Sequence, residues 1–459
     1  MKKLLGEDDY LEGLEDRLTY AYDASGRKCV PDAVVFPRTV DQVSEILKTA
    51  QRYCLPVTPR GAGSGLTGGA VPVSGGLVLA MDHFNRILTI DTENFQAIVE
   101  PGVVTADLHA AVQNVGLFYP PDPASRHFST IGGNIAENAG GMRAVKYGVT
   151  REWVMGLEVV LPSGRIIHTG SRCVKDVVGY DLTGLFVGSE GTLGVITKAV
   201  LRLIPKPETS KTLLAVFDSM NHAARTVPDI LQRGLTPSTL EFMDKHVIRA
   251  VDSFLETGFY SNAEAALLIE VDGRSQEVET GIDEIARVCR ANHALDVLVA
   301  KDDRERENLW EARRSIHQAL EALPFEWEEE DISVPRASIA AMVARLEEIS
   351  RKWDVEIVCF GHFGDGNIHI NLAHRGGSDG IDRQKKAREE ILRSAVAMEG
   401  RIAAEHGIGL VKRNEIGWNL DEPTLSQLVE LKRFFDPAGI LNPGKVFPSG
   451  FQCSGKTES

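Results

Sequence analysis

The run Pro59-Arg-Gly-Ala-Gly-Ser-Gly-Leu-Thr-Gly-Gly69 carries the pattern G-x-G-x-x-G over Gly63 to Gly68. An acid, Asp82, follows about twenty residues on, as it would in a dinucleotide-binding βαβ unit. That fingerprint needs a helix to open at the glycines. Here Pro72, Gly75 and Gly76 break the chain before Leu77 to Met81, which reads as another strand, so a doubly wound Rossmann sheet is excluded. What remains is a loop of small residues whose backbone N–H groups can cradle a pyrophosphate without a helix. The flanks read as Val34 to Phe36 (strand), a helix capped by Thr39 with Val40, Val43, Ile46 and Leu47 at helical spacing, and Leu55 to Thr58 (strand).

Two further blocks are too rich in glycine, proline and asparagine to be packing material. One is Pro120-Pro-Asp-Pro-Ala-Ser-Arg-His-Phe-Ser-Thr-Ile-Gly-Gly-Asn-Ile-Ala-Glu-Asn-Ala-Gly-Gly141, with Tyr147-Gly148 after it. The other, Phe186-Val-Gly-Ser-Glu-Gly-Thr-Leu-Gly-Val-Ile196, runs into a β-branched strand that continues to Leu203. Three such loops between short strands suit a long cofactor with polar and aromatic parts better than a single phosphate.

At 459 residues the chain exceeds one ordinary core, and Pro205-Lys-Pro207 offers a boundary. After it, Thr212 to Phe217, Ala265 to Val271 and Asp296 to Ala300 read as strands. Asn221 to Arg233, Ser275 to Arg290, Asp302 to Glu321 and Asp382 to Glu399 read as helices, which makes a second α+β unit. A net charge of −15 argues against nucleic acid or an anionic membrane as a partner. No apolar run reaches the ~18 residues of a membrane span, and the opening Met-Lys-Lys-Leu-Leu-Gly-Glu-Asp-Asp-Tyr turns acidic before any signal-peptide core develops. The expected location is the cytoplasm, with any membrane docking made through a partner. Six scattered cysteines, Cys29, Cys54, Cys173, Cys289, Cys359 and Cys453, form no Cys-x2-Cys pair, which excludes iron-sulfur and zinc-ribbon spacing in this chain and leaves most of them as small buried hydrophobes.

Gly361-His-Phe-Gly-Asp-Gly-Asn-Ile-His-Ile-Asn371 holds two histidines seven apart, which a plain strand would point to opposite faces. An Asp365-Gly366 type I′ turn would instead pair 362 with 369 and set both imidazoles on one face, close enough to share an ion, with Asn371 beside them. On spacing alone, a polar surface hairpin accounts for the same residues.

The three glycine blocks together resemble the FAD domain of the vanillyl-alcohol-oxidase-like (PCMH-type) flavoproteins. Across nearly the whole chain the likeness is to the group of glycolate oxidase D subunits, D-lactate dehydrogenases and D-2-hydroxyglutarate dehydrogenases. It implies an α+β fold: an FAD domain at 1–207 with its core at about 30–207, a ferredoxin-like cap carrying substrate and metal at 208–420, and a C-terminal helical segment, 421–459, returning to the FAD domain. Arg60, Gly61, Ala62, Gly63, Ser64, Gly65 and Gly68 would carry the pyrophosphate. Asp122, Thr130, Gly132, Gly133, Asn134, Asn138, Gly140, Tyr147 and Gly148 would line the flavin, and Glu190, Gly191, Gly194, Ile196 and Asn442 would complete the pocket. No histidine lies between Pro59 and Pro72 to tether the flavin, so the FAD is expected to be noncovalent.

The same resemblance implies the chemistry. His362, His369 and Glu405 would hold one divalent ion, for which zinc, iron and manganese all suit the donor set. His406 would be the general base, since imidazole titrates near neutrality. Arg313 would grip the substrate carboxylate with its guanidinium fork, His317 shares that helical face, and Asn371 would meet the substrate. The reaction implied is oxidation of a D-2-hydroxy acid to the 2-oxo acid by hydride transfer to flavin N5. Where D-2-hydroxyglutarate dehydrogenases place a basic residue for a second carboxylate, this chain has Glu328-Glu-Glu330, which favours D-lactate or glycolate, although a solvated acidic face is an equal reading. The alternatives are D-2-hydroxyglutarate as substrate, a flavin oxidase of another alcohol, and an electron-relay flavin subunit. Electrons would leave to an electron-transfer flavoprotein, an iron-sulfur subunit, a quinone or oxygen, and a homodimer is compatible with the sequence.

Overall fold

The computed structural model describes residues 1–256, 263–374 and 377–448. The chain divides into two compact units, one of residues 1–140, 149–206 and 405–459, the other of 141–148 and 207–404. The chain from Glu405 onward thus belongs to the first unit and not to the 208–420 domain expected from the sequence.

In the first unit, the strands Ala33–Val35 and Val57–Arg60 both pair in parallel with Leu77–Ala80, and Tyr10–Leu11 adds antiparallel at the edge. Between the first two runs the helix Val40–Tyr53, opened by a capping box of Thr39 and Gln42, buries Val43, Ile46, Leu47 and Ala50. Full burial of each large aliphatic side chain on that face contributes roughly 1.5–3 kcal/mol. The parallel pairing explains why the glycine run needs no helix: the chain leaves one strand at Arg60 and re-enters the sheet at Leu77 through a loop. A second sheet, wholly antiparallel, runs in the order Ile87–Asp91, Gln96–Val99, Val195–Arg202, Val154–Val160, Ile166–Gly170. After the helix Glu422–Phe435 the tail returns to the first sheet, where Val57 N–H donates to Ile440 O and Asn442 N–H to Val57 O.

The second unit is built on a seven-stranded antiparallel sheet in the order Ala294–Val299, Thr209–Phe217, Ala265–Gly273, Thr239–Asp244, Val355–Gly361, Asn367–His374, Glu328–Ser333. Helices Lys245–Leu255, Asp303–Arg314 and Ile316–Glu321 cover one face, where Met243, Phe360, Leu268, Trp310 and Ile316 form a core. The helix expected at 302–321 is therefore two, broken at Ser315. On the opposite face Gly377–Ala397 lies over the last strand, with Arg388 paired to the buried carboxylate of Glu330. Of the cysteines, Cys289 and Cys359 are buried, Cys29 is half-buried, and Cys54 and Cys173 are exposed, so the small-hydrophobe reading holds for two only; Cys453 lies outside the described residues.

Candidate active site

In the first unit the three glycine blocks meet. Among the described residues no protein acceptor takes the N–H groups from Ala62 to Gly69, which leaves a run of donors for an anionic group. The crowding is close: a Cβ at Gly61 would lie 2.3 Å from Thr130 Oγ1, and one at Gly68 would lie 2.6 Å from Leu410. Gly68 also has φ +82°, so two requirements fix glycine there. Arg60, expected at the pyrophosphate, is buried and braces the loop from inside, donating to Tyr22 O at 2.7 Å and lying over the Tyr20 ring.

Thr130 caps the helix Ile131–Glu137 and Asn138 ends it in the left-handed conformation, its Oδ1 accepting from Arg151 N–H. Gly132 lies against Pro101, Gly133 N–H donates to Thr130 Oγ1, and Asn134 donates to Thr105 Oγ1. The third block docks here, with Gly188 N–H on Ile135 O and Glu190 N–H on Ala136 O. Asn442 ties it to the first loop, donating to Glu190 O at 2.7 Å and to Gly69 O at 3.3 Å. Gly191 sits 3.0 Å from Asn442 Nδ2 by its would-be Cβ, Gly194 packs on Val159, and Ile196 pairs with Val159 across the sheet. Asp122 is engaged with Arg126 at 2.7 Å.

Two residues that sequence reasoning did not single out, Lys445 and Glu137, stand at this cradle beside the expected Glu190. Lys445 donates to Gly69 O at 2.6 Å, and burial lowers its pKa to about 7. The Glu190 side chain accepts from Ile408 and Gly409 N–H. Glu137 stands beside Gly65, Gly69 and Gly407, and burial, reinforced by the Glu190 carboxylate, pushes its pKa well above the carboxylate range. In the same unit Glu405 lies against Gly140, whose would-be Cβ is 2.7 Å from Glu405 Oε2, and the His406 carbonyl accepts from Thr67 Oγ1 at 3.1 Å.

In the second unit the histidine hairpin has a different register from the one the Asp-Gly turn suggests. Phe360, and not His362, pairs with His369, and the chain turns over Gly361 to Gly366 with the N–H groups of Asp365, Gly366 and Asn367 gathered on His362 O. The shift is two residues. A one-residue slip would have moved His362 to the opposite face, whereas two keeps it diagonal to His369 on the same one. Both rings are buried, with their Nε2 atoms 3.4 Å apart. Two nitrogens bound to one tetrahedral ion at about 2.05 Å stand about 3.3 Å apart, so the pair fits a divalent metal.

Behind the histidines stands Glu241, a carboxylate between Leu240 and Phe242 on the buried strand Thr239–Asp244. Its Oε1 lies 2.6 Å from His362 Nδ1, and its Oε2 accepts from Arg313 Nε at 2.7 Å and Nη2 at 2.6 Å. Burial pushes this carboxyl up, but the charges and hydrogen bonds of His362 and Arg313 outweigh it and hold the group below the ordinary range. Arg313 is buried over the Phe360 ring, which His317, itself exposed, meets edge-on. Asn371 is buried on the face of His369 and pairs across the strands with Glu329, while Asp331 pairs with His369 and accepts from Ala404 N–H at 2.8 Å. Glu328 and Glu330 face the other way, toward Arg388. Tyr147 and Gly148, expected at the flavin, belong to this unit, and the Tyr147 hydroxyl donates to Asp272 at 2.9 Å.

Residues 31–170 match the family described as an FAD binding domain, and residues 206–446 match the C-terminal domain of FAD linked oxidases. The chain belongs to the FAD-linked oxidases. It is 46% identical to the glycolate oxidase subunit GlcD of Bacillus subtilis, over 96% of this chain and 94% of that protein. It is 36% identical to a D-lactate dehydrogenase of Anaerostipes hadrus, over 91% and 90% of the two chains. Among solved structures, p-cresol methylhydroxylase superposes with a TM-score of 0.79 at 19% identity, covering 97% of this chain and 95% of that one. A 4-ethylphenol oxidase from Gulosibacter chungangensis gives 0.77 at 18%, covering 98% and 96%. At such identity these two show the fold alone, an FAD-binding α+β architecture of the p-cresol methylhydroxylase type.

As an FAD-linked oxidase the protein is a flavin-dependent oxidoreductase, and the open amides of the first loop fit that cofactor. Among the described residues no helix is long and apolar enough to cross a membrane. Glu241 is the residue at the histidine site that sequence reading missed. Its signal was an acid at an inward position of Thr239-Leu-Glu-Phe-Met-Asp244, a segment whose alternation is too weak to read as a strand from sequence.

Proposed function

We propose that this FAD-linked oxidase oxidises a small D-2-hydroxy acid, glycolate or D-lactate, to its 2-oxo acid with the help of one divalent metal ion. The observation that carries the reading is the buried chain Arg313, Glu241, His362, His369, a carboxylate-gripping group wired to a metal-ligand pair. The names of the relatives, a glycolate oxidase subunit and a D-lactate dehydrogenase, point to the same substrate class.

Bound FAD would supply the acceptor for the Cα hydride, and a metal at the histidines would supply Lewis acidity toward the hydroxyl. The protein's own residues do the rest. With Nε and one Nη2 hydrogen held by Glu241, Arg313 presents its Nη1–Nη2 edge to the substrate carboxylate. His362 and His369 would hold the metal, and Glu405 is proposed as its third ligand. His406 takes the hydroxyl proton, and the Asn371 amide orients the substrate oxygen. Glu329, on the face of Asn371, disfavours a second carboxylate and so supports a monocarboxylate over 2-hydroxyglutarate. Electrons then pass to a separate acceptor.

The test is an anaerobic screen of D and L 2-hydroxy acids against the purified yellow protein. Glycolate or D-lactate is expected to bleach the flavin without NAD, and 2-hydroxyglutarate to do so poorly. An absence of bleaching by every 2-hydroxy acid, with FAD and metal both supplied, ends this reading.

A further inference from the structure

A charged carboxylate on a buried strand is costly unless it is fully paired, and Glu241 has a side chain with 0% exposure between Leu240 and Phe242. It is paired on both oxygens, but to two groups with different tasks. Oε1 meets His362 Nδ1 and Oε2 meets the Nε–Nη2 edge of Arg313. A brace for either partner would need one oxygen. The same face of the sheet carries Glu241, Phe360, His369 and Asn371, so the carboxylate stands directly behind the proposed metal and substrate positions.

We propose that Glu241 is the positioning residue that couples metal binding to carboxylate binding, a role that rests on the function proposed above. Accepting from His362 Nδ1 fixes that ring in the tautomer whose Nε2 lone pair faces His369 Nε2. Holding the Nε side of Arg313 aims its other edge outward. Because one carboxylate serves both, the Arg313 cation draws on charge that would otherwise strengthen His362 as a ligand. A substrate carboxylate that shares the Arg313 charge returns it to the histidine. Metal and hydroxy acid therefore bind cooperatively, and the coupling is reciprocal.

The test is a double-mutant cycle of wild type, Glu241→Gln, Arg313→Met and the double variant, read first as Mn(II) affinity by competition with a chromogenic chelator. Glu241→Gln is expected to weaken Mn(II) binding about 10- to 100-fold and to raise KM for the hydroxy acid, with FAD content unchanged. Arg313→Met is expected to tighten Mn(II) binding while Glu241 is present and to have no effect in the Glu241→Gln background. Equal effects of Arg313→Met in both backgrounds, or wild-type Mn(II) affinity in Glu241→Gln, overturn the coupling. Should Glu241→Gln fail to fold, Glu241→Asp decides: it keeps the charge, cannot span both partners, and is expected to lose either metal affinity or the Arg313→Met effect. Retention of both overturns the proposal. Wild-type protein that neither holds Mn(II) nor is bleached by any 2-hydroxy acid removes the functional reading and the coupling with it. Wild-type protein that does both beside an indifferent Glu241→Gln removes the coupling alone.

Discussion

Arg313→Lys is the substitution whose cost the geometry defines most closely. The guanidinium has five N–H groups; Nε–H and one from Nη2 go to Glu241, leaving three, two of which form the Nη1–Nη2 edge for the substrate carboxylate. A lysine ammonium has three donors on a point and no second edge. It must choose between Glu241, which is wholly buried and cannot be left unpaired, and the substrate. Glu241 wins, and the substrate loses one or both charge-assisted bonds, each contributing about 1.5–3 kcal/mol. At 1.4 kcal/mol per factor of ten, loss of one bond raises the dissociation constant for glycolate or D-lactate about 10- to 100-fold. The assay is the anaerobic reductive half-reaction, in which the concentration dependence of flavin bleaching gives the dissociation constant and the plateau gives the hydride-transfer rate. An unchanged dissociation constant with normal bleaching would refute the assignment of Arg313 to the carboxylate.

His406→Ala is expected to slow flavin reduction by about 10²- to 10⁴-fold, the usual worth of a general base, while metal content stays near that of the wild type; loss of the metal instead shows that base and ligand have been exchanged. Glu329→Lys replaces the acid opposite Asn371 by a cation and is expected to admit 2-hydroxyglutarate, seen as flavin bleaching where the parent is slow. Glu137→Gln tests the half-buried acid at the cradle. Its folded pKa is raised, so its favourable contribution is complete below the unfolded value near 4.5 and is lost as pH rises through the raised folded value. Thermal melts of the apoprotein from pH 5 to 9 should therefore show the Gln variant gaining on the parent as pH rises, and parallel curves contradict the assignment.

The sequence carried the local decisions and not the long-range ones. Thr39 and Gln42 announce their helix because a capping box is a contact between near neighbours. Pro72, Gly75 and Gly76 rule out a helix after the first loop for the same kind of reason. The histidine hairpin shows where such reasoning fails: Asp365-Gly366 is a strong turn pair, yet the turn spans Gly361 to Gly366 because the N–H groups of residues 365 to 367 close on His362 O. The shared face survived only because the slip was even. Glu241 was illegible, since its partners are 72 and 121 residues away in the chain and nothing local to Thr239–Asp244 requires a charge. The break at Ser315 and the passage of the chain at Glu405 from one unit to the other are likewise set by packing that no short window contains.

On the proposed function, hydroxy-acid oxidation requires a metal held by His362 and His369. Stopped-flow flavin reduction by glycolate and D-lactate, on metal-loaded protein and on the same preparation stripped with a chelator, tests it most directly. Rapid bleaching of the loaded protein, its loss on stripping and its return with a divalent ion are expected. Equal bleaching of the stripped and loaded protein would contradict a metal-dependent reaction.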